Sequence, residues 1–141
     1  MAALTPKQIT ALGDNFLTYA QAVGDYRIAH YDALTATQRQ ELKKYQKLLL
    51  DRADELYTTS AMLIMDEVEA PLNSVKDITA KMETTYSKLR NVQKVINIAA
   101  ACVKMGSSIF SLNGADISQS ISDLLTLFNE SKSIRIKRKK S

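Results

Sequence analysis

A chain of 141 residues, 45% apolar and 24% charged, is one domain's worth of protein. It can bury roughly two-thirds of its unfolded surface without help from a metal or a disulfide. Its one cysteine, Cys102, excludes an internal disulfide and favours a reduced, intracellular (cytoplasmic) setting, and the first residues lack the charged-then-apolar pattern of a secretory leader.

The formal charge of +4 comes from one place. Residues 132–140 hold Lys132, Arg135, Lys137, Arg138, Lys139 and Lys140 and no acid, while the rest of the chain has 13 basic and 15 acidic residues. Such charge blocks are usually solvated, so residues 1–131 are expected to fold and 132–141 to form a disordered basic tail.

Only four glycines and two prolines occur, and apolar residues recur at helical rather than alternating spacing. The first helix is expected to start at Thr5, with Pro6 in the first helical position and Gln8 closing a capping box. Ile9, Phe16, Val23 and His30 fall seven apart, and Leu12, Tyr19 and Tyr26 form a companion row. Gly13 and Gly24 weaken this helix by ~1 kcal/mol each relative to alanine, or let a neighbouring helix come close.

Residues 31–36 read as a connection, and Thr37 with Gln40 as the capping box of a second helix. Leu42, Leu49, Leu56 and Leu63 repeat every seven residues, flanked by Leu50, Tyr57 and Ile64 on one side and Tyr45 and Ala53 on the other. Pro71 interrupts the pattern, and a tight hairpin at 69–74 is expected, with one long kinked helix as the alternative.

Beyond it, Val75, Met82, Leu89, Ile96 and Val103 again fall seven apart and predict one continuous third helix. Asn113-Gly114 is a stop signal, after which Ile117, Ile121, Leu124, Leu125 and Phe128 mark a short fourth helix. The expected fold is all-α: an elongated antiparallel bundle of three main helices plus a short C-terminal helix, with coiled-coil character.

Little in the sequence suggests catalysis. His30 is the one histidine, and no HxxxH, ExxH or CxxC spacing surrounds it. Cys102 sits among alanines and valine, where burial makes a thiol inert. Asp66, Glu67 and Glu69 read as one solvated helix end. Glycine-rich phosphate loops and nucleophile elbows are absent from the sequence. The expectation is a non-enzymatic protein with no cofactor and no metal.

Two interaction readings follow. The first is protein–protein association, with another protein or with itself as a homo-oligomer. Leu49, Leu56, Leu63, Val75, Met82 and Leu89 form the structural seam, and apolar rows left uncovered on the long helices bind the partner. The second is membrane activity. Val95, Ile96, Ile98, Val103, Ile109 and Phe110 lie in the apolar segment 95–112, and the basic tail would hold anionic head groups. Lys104 at mid-segment costs ~2.5–3.5 kcal/mol on insertion scales and argues against a permanent span. Long helices with one apolar segment resemble, in architecture alone, the α-helical pore-forming toxins; the resemblance implies this membrane-active alternative and carries no residues with it. The tail has no aromatic residue for base stacking and the remaining body is slightly acidic, which argues against nucleic acid.

Overall fold

The computed structural model describes residues 6–58, 74–110 and 114–140, with the backbone alone at 6, 110, 114 and 130–140. Among the described residues every regular element is helical. The expected Thr5 cap, Leu63, Ile64, Asp66, Glu67, Glu69, Pro71 and the 69–73 part of the expected hairpin lie outside the described residues.

Helix α1 (Pro6–Ala29) and helix α2 (Ala36–Thr58) form an antiparallel pair. The two glycines of α1 mark its register. A Cβ on Gly13 would stand 2.7 Å from Tyr57 Cε1, and one on Gly24 would stand 2.5 Å from the Gln46 amide. The α2 partner falls from 57 to 46 as the α1 position rises from 13 to 24, so the strands of chain run in opposite directions. The small residues therefore serve close approach, which offsets their low helix propensity. Ile9, Leu12, Phe16, Tyr19, Val23 and Tyr26 of α1 are all buried, opposite Leu42, Leu49, Ala53 and Leu56 of α2. Leu50 departs from the expected stripe: it is 38% exposed, among charged residues on the outer face of α2.

A 3-10 turn at Tyr31–Ala33 joins the pair. The capping box lies two residues earlier than expected. Thr35 N–H donates to Gln38 Oε1 at 2.8 Å, and Gln38 N–H donates to Thr35 Oγ1 at 3.1 Å. Thr37 and Gln40 have the same spacing, but Leu34 is buried, and the chain enters the helix as soon as that anchor is set.

The expected third helix is two helices separated by a reversal. Helix α3 (Val75–Thr84) ends in a 3-10 turn at Tyr86–Lys88, and helix α4 (Val92–Phe110) follows. Helix α3 runs alongside α1 in the same direction: Tyr19 meets Thr79 at 3.0 Å, and Tyr26 donates to the Leu89 carbonyl at 2.7 Å. Helix α4 runs the other way. Gly106 near its end lies against Phe16, while Val95 near its start accepts a 2.9 Å bond from Tyr86, whose ring centroid is 5.6 Å from that of Tyr26. Val75, Met82, Leu89, Ile96 and Val103 thus belong to no single stripe. The fold-back contains no glycine or proline, and long-range hydroxyl bonds brace both sides of it. Asn91 then caps α4, accepting from Lys94 N–H at 3.1 Å.

Helix α4 is the most enclosed element. Val95, Ile96, Ile98, Ala99, Cys102, Met105 and Ile109 are buried. Helix α5 (Gly114–Lys140) returns antiparallel to α4, with Ser108 and Ser120 hydroxyls 2.6 Å apart at one end and Lys94 Nζ donating to the Leu127 carbonyl at 3.3 Å at the other. Ile117, Ile121, Leu124 and Phe128 of α5 complete the core, with Leu125 half-buried. The backbone of α5 stays helical to Lys140, well into the segment the sequence sets apart as a tail.

Candidate interaction surface

The seam residues Leu49, Leu56, Val75 and Met82 are buried within the chain and Leu89 is partly so. These positions lie in the core, and Leu63 lies outside the described residues. The segment proposed for lipid is also core. Val95, Ile96, Ile98 and Ile109 are buried and Val103 is half-buried, while the Phe110 side chain lies outside the described set. No helix among the described residues is long and apolar enough to cross a membrane. The physical reason is the neighbours: α1, α2 and α5 cover the face of α4 that looked lipid-ready in isolation.

Potentially reactive groups are engaged in the structure. His30 stacks on Tyr26 with centroids 3.9 Å apart, and its Nδ1 sits 3.1 Å from the Tyr26 carbonyl oxygen. Cys102 is fully buried, and loss of water pushes its thiol pKa far up, which keeps it protonated and unreactive. Among the described residues no three His, Cys, Asp or Glu side chains gather in a way that could hold a metal.

Three surface features remain. The first is the α1–α2 tip, where Ile28 is 68% exposed and Tyr31 49% exposed. The tip is fixed from behind. Arg39 Nη1 donates to both the Tyr31 and Leu34 carbonyls at 2.8 Å, and its guanidinium carbon lies 4.3 Å from the Tyr31 ring centroid. The capping box holds one side and the His30–Tyr26 stack the other. Sequence spacing sets Ile28, two residues past Tyr26, on the face of α1 away from the core rows, but gives no reason for an isoleucine there. Tyr31, Thr35 and Arg39 act through contacts between the two arms of the turn, which spacing does not encode.

The second feature is an open groove of about 510 Å³ where α3 begins against α5, lined by Ser74, Ser118, Ser122, Thr126 and Asn129 with Ile121 and Leu125 at its base. Its walls are neutral hydroxyls and an amide. The third is the α3–α4 corner, where Lys88 and Arg90 are exposed. Lys81 reaches to 6.0 Å from the Phe128 ring centroid, which places the corner beside the emerging C-terminal part of α5.

Comparison of the chain with protein-family models, with curated proteins and with solved structures gives no match.

Proposed function

We propose that the protein is a non-enzymatic helical bundle that acts by association, binding a second copy of itself through the α1–α2 tip. The observation that carries this reading is the pairing of two exposed apolar side chains, Ile28 and Tyr31, with a backbone locked by Arg39. Tyrosine and arginine are the residue types that dominate binding hot spots, and a tip already rigid loses little freedom on docking. The engaged states of His30 and Cys102 support a role without catalysis.

Solution mass measured across a concentration series tests it. The wild-type chain should rise above its monomer mass of 15.7 kDa, and the Ile28→Asp/Tyr31→Asp variant should stay at that mass with unchanged helical circular dichroism. A wild-type mass that never departs from one chain contradicts the proposal.

A further inference from the structure

The α3–α4 corner and the C-terminal half of α5 meet at one end of the bundle. Lys94, two residues into α4, bonds the Leu127 carbonyl, and Lys81 lies over Phe128. From Leu127 the α5 backbone continues for 13 more residues to Lys140, about 20 Å at helical rise. Helix α4 starts at Val92, so this length leaves the bundle on the side of the corner. Residues 81–94 and 127–140 together contain ten basic residues and two acids, Glu83 and Glu130. The rest of the chain contains nine basic and 13 acidic residues. Asp25 and Asp32 of the α1–α2 tip share this end through the Tyr26–Leu89 bond, and the excess of positive charge belongs to the corner and the α5 extension themselves.

We propose that this end docks on an anionic phospholipid bilayer as a peripheral contact with the head groups. Helical continuation into residues 132–140 carries cations at a helix C-terminus, where the backbone dipole favours them. A bilayer asks only for dense positive charge, each near-surface Lys or Arg adding roughly fivefold in affinity. Duplex nucleic acid shares that demand and is an outcome of the test, while its single-stranded form asks for more. Single-stranded nucleic acid is held by stacking on aromatic rings, and residues 129–141 hold none, while Tyr86 at the corner is buried. The exposed Ile28 and Tyr31 lie on the neighbouring tip, which the Tyr26–Leu89 bond sets at the same end, while the corner itself presents Lys88 and Arg90. With no described helix fit to span, the contact is peripheral.

The test is co-sedimentation of the full chain with vesicles of phosphatidylcholine alone and of phosphatidylcholine with phosphatidylserine. The wild type should bind the phosphatidylserine vesicles, lose binding as salt rises, and ignore phosphatidylcholine. The variant Arg135→Glu/Lys137→Glu/Arg138→Glu/Lys139→Glu should bind at least ~10-fold more weakly. Lys88→Glu/Arg90→Glu, with an unaltered tail, should also lose several-fold, showing that the corner takes part. Ile28→Ser/Tyr31→Ser, which removes the apolar tip without adding charge at that end, should bind as the wild type does, so the association surface and the lipid surface fail independently. No binding to phosphatidylserine vesicles, equal binding to both vesicle types, full binding by the four-site variant, or tighter binding to duplex or single-stranded DNA than to the vesicles would overturn the proposal.

Discussion

Tyr86 links three parts of the core. Its ring packs on Tyr26, its hydroxyl holds the first turn of α4 through the Val95 carbonyl, and burial raises its pKa well above the ordinary tyrosine value. Tyr19 is raised in the same direction by burial, opposed in part by its bond to Thr79. Tyr57 is pushed up to about 12, first by desolvation and then by its 2.5 Å bond to the Asp14 carboxylate. A folded-state pKa above the unfolded value means that the protonated phenol stabilises the fold. That contribution is complete below the ordinary value of 10 and is lost as pH rises from 10 towards 12. Urea midpoints measured on either side of pH 10 should fall with pH, and Tyr57→Phe should flatten the fall; an unchanged slope would contradict the assignment. Tyr86→Phe should cost ~1 kcal/mol of stability. Cys102 offers a second check, because its buried, protonated thiol should resist an aromatic disulfide reagent until the chain is unfolded in urea. Rapid labelling of the native chain would contradict its place in the core. Residue identity in the core was legible: the rows through Ile9 and Leu12 on α1, Leu42 on α2 and Ile117 on α5 are the buried faces. The depth of Tyr86 was not, because heptad counting from Met82 leads to Leu89 and passes it by.

Elements show where local pattern stops being enough. Helix α1 and the apolar face of α2 follow from spacing alone. The start of α2 does not, since Thr35 with Gln38 and Thr37 with Gln40 are equal candidates and the buried Leu34 selects the earlier one. Thr35→Ala should therefore destabilise the fold by ~1 kcal/mol, whereas Thr37→Ala should change it by no more than ~0.5 kcal/mol. Equal costs in chemical denaturation would argue for the later cap. The division of the expected third helix is the larger lesson. Residues 75–105 contain no glycine or proline, and their sevenfold row is compatible with one rod. The reversal is accompanied by bonds to α1, Tyr19 to Thr79 and Tyr26 to Leu89, between residues 60 and 63 positions apart, and by burial of Tyr86. Asn91 was the one local mark of the new helix, a side chain able to cap α4. The locking of the tip was equally hidden, because Arg39 reaches back eight residues to hold Tyr31.

For the whole molecule, the apolar run at 95–112 shows how a single segment misleads. It is apolar around much of its circumference because other helices surround it, and the Lys104 that argues against a span sits on the exposed side. Enclosing α4 requires α3 and α4 to be antiparallel about α1, and that reversal is the claim on which the core and the cationic corner rest. Replacing Leu49 with alanine should cost ~2–5 kcal/mol in urea unfolding, as expected for a leucine packed from all sides. The most direct test is a distance. Spin labels at Lys76→Cys and Lys104→Cys, both exposed positions, in a Cys102→Ala background should lie roughly 20 Å apart or less, about two helix diameters. A separation near ~42 Å, the span of 28 residues in one uninterrupted helix, would contradict the fold-back.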